Sequence, residues 1–166
     1  MWPAGRGLPR SVLKEKCLQC GYKHFTGVDG SDGMLREAAK SRLYKDLRLA
    51  LLGTDLLPAE PDTYDIVIIV GALGVGFVPV SVVRELCKAA TPGGYICMIK
   101  GDHRSEDHDE YKVALEMELQ LMEEEKLWSR VSVKEFDKYM TDMYSEDVQE
   151  DKYVTGTGYL YRKNLE

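Results

Sequence analysis

A chain of 166 residues, 44% hydrophobic and 30% charged, has the make-up of an ordinary globular protein and can bury one sizeable core. Its formal net charge of -6 argues against a nucleic-acid-backbone binder, which would normally present a basic face. Four cysteines without framework spacing argue against a disulfide scaffold and point to a reducing compartment, the cytosol by default or the nucleus.

Residues 1–20 read as an irregular tail and a short helix, and residues 21–166 as a single domain with no internal repeat. The first nine residues carry glycine, proline and arginine but no apolar core, so they are not a secretory signal. Between residues 9 and 20, Val12, Leu13, Lys16 and Cys17 fall at roughly helical spacing, with Gly21 as the stop. Cys17, Cys20 and His24 resemble three zinc ligands. No partner pair follows, because Cys87 and Cys97 sit in apolar segments, so the expectation is two helix-face cysteines and no metal.

Residues 24–29 predict a short strand that ends on the acid Asp29. Gly30 then turns the chain, Ser31 is a good N-cap, and Asp32 in the first turn suits the helix dipole. Met34, Leu35, Ala38 and Ala39 form the apolar stripe of that helix. Residues 47–52 are a second candidate strand, left through Thr54, Asp55, Leu56 and Leu57, and the prolines Pro58 and Pro61 stiffen the loop that follows.

Tyr64-Asp65 then leads into Ile66-Val67-Ile68-Ile69-Val70, five branched aliphatics without polar alternation. That pattern fits a strand covered on both faces, as in the middle of a parallel sheet between helix layers, with a sharp turn at Gly71. Residues 66–83 contain no charged side chain, a length that could span a bilayer. The run is broken by Gly71, Gly74, Gly76 and Pro79, which lipid tolerates poorly, so no membrane is expected.

Pro79 is expected to open a helix with the stripe Val78, Val82, Leu86 and Ala90, and Thr91-Pro92-Gly93-Gly94 to end it and turn into a buried strand over residues 95–99. Ser105 caps a long acidic helix whose Tyr111, Leu115, Leu119 and Met122 line one face. Residues 128–139 and 153–161 predict two longer strands, paired antiparallel across an acidic loop. The fold class is therefore α/β, with alternating strands and helices that imply a parallel sheet and right-handed crossovers.

On one such sheet Asp29, Asp55 and Gly71 all fall just past the carboxyl ends of their strands, where open α/β sheets bind ligands. A carboxylate ending a strand can accept hydrogen bonds from both hydroxyls of a ribose, and Asp55 could accept from an exocyclic amine. The set favours a nucleoside-containing cofactor.

Val28-Asp29-Gly30-Ser31-Asp32-Gly33-Met34-Leu35, then Thr54-Asp55-Leu56-Leu57, residues 64–73 and Thr91-Pro92-Gly93-Gly94-Tyr95 follow one another in an order that resembles the class I S-adenosylmethionine-dependent methyltransferases. The likeness covers residues 21–100 well and the remainder loosely. It implies a Rossmann-like, mostly parallel sheet with a C-terminal antiparallel pair, S-adenosylmethionine as cofactor, and methyl transfer to an acceptor. By resemblance, Asp29 would hold the ribose, Gly30 and Met34 would flank the adenine, and Asp55 with Leu56 would meet its edge. Val70 and Gly71 would lie beside the methionine portion. No dedicated catalytic base is implied.

The resemblance also implies a first strand and a glycine-rich loop upstream of Gly21, between the strands ending at Asp29 and Val70. Gly5-Arg6-Gly7 looks like a remnant of that loop, but no apolar strand precedes it. The expectation is an N-terminally truncated form, a poor methyltransferase, with a non-catalytic binding or regulatory product as the alternative. An oxidoreductase is disfavoured: Gly71-Ala72-Leu73-Gly74-Val75-Gly76 is not the dinucleotide fingerprint and lacks its downstream acid. His103 and His108 follow the fifth strand and either could serve as a general base, or simply cap a surface helix. The acceptor stays open among small molecules, lipids and protein side chains.

Overall fold

The computed structural model describes residues 19–103, 105–141 and 153–165. In chain order the elements are β1 (Thr26–Asp29), α1 (Asp32–Lys40), β2 (Asp46–Leu49), β3 (Tyr64–Val70), α2 (Val82–Ala89), β4 (Ala90–Asp102), α3 (Glu106–Glu124), β5 (Trp128–Thr141) and β6 (Tyr153–Lys163). The expected helix over residues 9–20 falls mostly outside the described residues, as does Cys17.

The strands form two sheets. β1 and β2 pair in parallel, Asp29 opposite Leu49, and a four-stranded sheet runs in the order β3-β4-β6-β5. β3 and β4 are parallel, and β6 is antiparallel to both β4 and β5, so three strands of that sheet share one direction and β6 alone reverses it. The C-terminal pair thus exists as expected, with its second strand inserted between β4 and β5.

The two sheets share one core. Val28, Ala50 and Leu52 from the first pack in the same cluster as Ile69, Leu73, Val78, Val82 and Leu86 from the second. Burial of this continuous apolar set joins the sheets. Leu57 adds a polar tie by donating its backbone N–H to Glu85 Oε2 of α2 at 2.5 Å.

Three expectations need correction. β3 does not lie in the middle of a continuous sheet. Among the described residues it is the end strand of its own sheet, and no described strand stands between it and β1. Only Ile69 of its aliphatic run is fully buried, and the other four are half-buried. The same asymmetry shows on β4, where Ile96, Met98 and Lys100 are buried and Tyr95, Cys97 and Ile99 are half-buried.

The second strand stops at Leu49 rather than Leu52, because the chain folds back locally. Asp55 donates its N–H to Leu51 O and accepts Leu51 N–H on its carboxylate, while Gly53 takes φ +97°. The helix after β3 begins at Val82, not Pro79. Val82 and Val83 donate to Pro79 O and Val80 O in short turns, and Ser81 makes no side-chain cap.

Elsewhere the local chemistry does what the residue types dictate. Ser31 caps α1 by accepting Met34 N–H, and Ser105 caps α3 by accepting His108 N–H. Leu115, Leu119 and Met122 bury one face of α3. Trp128 stacks on Tyr161 with ring centroids 4.3 Å apart and donates its indole N–H to Leu119 O at 3.2 Å, which locks α3 to β5 and β6.

Candidate functional site

The carboxyl end of β1 is built by short-range chemistry. Asp29 is the last strand residue; its Oδ1 accepts Ser31 N–H at 2.9 Å, which orients the carboxylate at the strand–helix turn. Its backbone carbonyl accepts Ala50 N–H at 3.1 Å, so the acid is held by the parallel neighbour as well. Gly30 follows directly under Leu51: a Cβ there would meet Leu51 Cδ1 at 3.0 Å. Met34 lies half-buried one helical turn on.

Leu51 is the hinge between the two acids. Its side chain lies over Gly30, and its N–H is held by Asp55 Oδ2 at 2.9 Å. Asp29, Gly30 and Asp55 are therefore gathered on one rim, with Leu51 (59% exposed) among them and Leu56 (81% exposed) next to Asp55. Leu51 was not singled out from sequence, and an apolar residue past a strand gives no signal that would do so.

Val70 and Gly71 stand on the rim of the other sheet. Gly71 donates its N–H to Ile99 O at 2.7 Å and takes φ +68°, a conformation that suits glycine at this sharp exit. No strand pairing joins this pair to Asp29 among the described residues. The loops behind the two rims do touch: a Cβ on Gly53 would lie 2.4 Å from Pro79 Cδ.

At the end of β4 lies a buried polar knot. Lys100, 2% exposed, donates to Gly101 O at 3.1 Å and Asp102 Oδ1 at 2.9 Å, and Thr157 donates to Asp102 Oδ2 at 2.8 Å. Burial opposes ionisation of Asp102, yet the hydrogen bonds from Lys100 and Thr157 hold its carboxyl below its ordinary value. His103 and His108 lie beyond, ring centroids 5.2 Å apart, with His108 Nδ1 2.6 Å from Ser105 Oγ. That contact belongs to the α3 cap. No group of three or more metal-ligating side chains occurs among the described residues.

An open cavity of about 850 Å³ runs along the outer face of α3 beside Val113, Ala114 and Met117. A smaller one of about 260 Å³ lies by Tyr22 and Tyr95 at the start of β4. Neither coincides with the rim.

An acid closes the first strand of this α/β arrangement, and the comparisons specify the class of the chain. The family described as methyltransferase domain matches residues 4–98, more than half of the chain, and the match takes in Gly5-Arg6-Gly7. The chain belongs to that family, a family of S-adenosylmethionine-dependent enzymes.

Human methyltransferase-like protein 27 is 39% identical over 124 residues, which are 75% of this chain and 48% of that protein. The chain thus spans about half the length of this curated relative. A Methanosarcina mazei S-adenosylmethionine-dependent methyltransferase superposes with TM-score 0.59 at 14% identity, over 94% of this chain and 87% of that one. The MccD protein gives TM-score 0.58 at 17% identity, over 91% and 84%. The [4+2]-cyclase SpnF gives 0.58 at 15%, over 85% and 66%, so the fold by itself does not select a reaction.

The residues present fit the family's cofactor. One oxygen of the Asp29 carboxylate is committed to Ser31, and the other has no partner among the described residues and can accept from a ribose. Leu51 and Leu56 leave apolar surface uncovered beside it, as a flat purine requires. Gly71 brings bare backbone to the rim. Among the described residues no helix is long and apolar enough to cross a membrane.

Proposed function

We propose that this chain binds S-adenosylmethionine along the rim from Asp29 to Gly71 and transfers its methyl group to an acceptor. Asp29 holds the ribose hydroxyls, Gly30 and Met34 flank the adenine, and Asp55 with Leu56 meets its edge. Val70 and Gly71 lie beside the methionine portion. The observation that carries the reading is the Asp29 carboxylate, oriented by Ser31 with one oxygen uncommitted among the described residues, next to exposed Leu51 over Gly30.

When bound, S-adenosylmethionine would supply an electrophilic methyl group on a sulfonium sulfur. The protein's part is to hold donor and acceptor in line, which alone can supply several kcal/mol, about 7–11 in favourable cases. Calorimetric titration with S-adenosylhomocysteine tests the reading. Saturable one-to-one binding supports it, and absence of binding at millimolar ligand overturns it.

A second reading has its own observation. The division of the sheet between β1 and β3 among the described residues favours a chain that binds the adenosyl ligand without turning over. Binding without methyl transfer to any member of an acceptor panel would favour this second role.

A further inference from the structure

The segment over residues 71–78 leaves β3 at Gly71, directly beside the proposed methionine end of the site. Its base is closed by backbone: Val78 N–H donates to Ala72 O at 3.0 Å, Leu73 and Val78 form a bridge, and Phe77 N–H donates to Gly74 O at 3.2 Å. It is also tied to α3, where Tyr111 donates its hydroxyl to Val78 O at 2.6 Å. Ala72, Leu73 and Val78 are buried, so the loop is anchored rather than loose.

The tip is the opposite. Phe77 is 76% exposed and Val75 is exposed beside it. Gly74 and Gly76 have open space where a Cβ would be, and Gly76 takes φ +75°. An aromatic ring held out in water on an anchored loop forgoes burial that a bound apolar group would restore.

Residues 66–83 carry no charged side chain. A charged group brought against this tip would give up hydration and find no counter-charge within residues 66–83. The tip is also continuous with the cofactor rim through Gly71, which distinguishes it from an apolar patch elsewhere on the surface.

We propose that this loop is the acceptor wall, and that Phe77 with Val75 receives an uncharged apolar portion of the methyl acceptor next to the atom that takes the methyl. This rests on the cofactor site proposed above, whose methionine end fixes where the acceptor must lie. Phe77 is then a specificity-determining residue, and the acceptor class is an uncharged molecule with an aromatic or aliphatic body.

Neutral naphthol and its charged analogue naphthoate serve as probes, titrated by fluorescence into the chain with saturating S-adenosylhomocysteine. Naphthol binds the parent, naphthoate binds more weakly, and Phe77→Ala weakens naphthol about tenfold, the scale of burying one such side chain. Phe77→Leu restores most of that affinity. In parallel, the affinity of Phe77→Ala for S-adenosylhomocysteine stays at the parent value, and a thermal melt shows the variant folded.

Naphthol affinity unchanged in Phe77→Ala, or naphthoate binding as tightly as naphthol, overturns the acceptor wall while leaving the cofactor site standing. Loss of a dimer on Phe77→Ala in sedimentation also overturns it, because the occupant is then a second copy. Failure of the parent to bind S-adenosylhomocysteine overturns the cofactor site instead.

Discussion

Tyr111 donates its hydroxyl to the backbone carbonyl of Val78 at 2.6 Å, fastening the long acidic helix to the loop that leaves β3. Burial pushes this hydroxyl up to about 12, with a hydrogen bond to the Gly74 backbone acting the other way. Tyr111→Phe removes one net hydrogen bond and leaves a buried carbonyl without that donor, a loss of about 1–2 kcal/mol in denaturant unfolding. Amide exchange at residues 74–78 should quicken in the same variant.

The same shift sets an alkaline limit. Between the ordinary value of 10.0 and about 12, Tyr111 keeps its proton when folded and loses it when unfolded. The unfolded state then binds fewer protons, so stability present below pH 10 falls as pH rises toward about 12. Burial raises Tyr161 to about 12 too, so it adds to the slope. Stability measured from pH 9 to about 11.5 should fall more gently in Tyr111→Phe than in the parent. Parallel curves would contradict this assignment.

If Asp29 holds the ribose as proposed, it should be the most sensitive position for an adenosyl ligand. Loss of charge-assisted hydrogen bonds in Asp29→Ala weakens S-adenosylhomocysteine by about 1.5–3 kcal/mol. If the variant binds as well as the parent, Asp29 is not the ribose acid.

The knot at the end of β4 gives a stability prediction. Asp102→Asn leaves the Lys100 ammonium buried beside a neutral amide. Removing one member of a buried pair costs about 3–5 kcal/mol. Because the Asp102 side chain is 20% exposed, the loss should lie at or below the low end of that range. As the Asp102 carboxyl titrates below its ordinary value, its contribution is present above the ordinary carboxylate range and is lost as pH falls through the depressed value. Acid unfolding should therefore begin at higher pH in a Thr157→Val variant, which raises that carboxyl.

The divided sheet carries a prediction of its own. A version of the chain with an apolar strand and a glycine-rich loop placed between β1 and β3, where none lies among the described residues, should bind S-adenosylmethionine more tightly. A strand between β1 and β3 would set them two strand spacings apart, roughly 9.6 Å, and so fix Asp29 relative to Gly71. Misplacement of about 1 Å can cost on the order of a hundredfold in rate. Equal affinity of that version and the present chain by calorimetry, with equally cooperative melts, would count against it.

Much of this was legible in the residues. The Ser31 and Ser105 caps, the Leu115-Leu119-Met122 face and the bounds of β3 follow from local chemistry that tertiary contacts do not override. The early end of β2 was not legible, because it depends on the Asp55 carboxylate reaching back to Leu51. Nor was the insertion of β6 beside β4. That is a non-local pairing in which Gly156 comes close to Lys100 O and Gly158 to the Ile99 side chain, and period-two alternation is silent about neighbours. Phe77 was not singled out, because an aromatic within an uncharged run gives no sign that its ring is exposed.

The contact between Gly53 and Pro79 makes the two rims behave as meshed teeth. Gly53 sits at φ +97°, where any side chain is strained, and an added methyl would strike the proline ring at 2.4 Å. A single added carbon there would wedge the β1–β2 unit away from the base of α2, moving Asp29 without touching it. Weakened adenosyl-ligand affinity in Gly53→Ala would therefore report on the spacing between the two rims, at a position that itself holds no ligand.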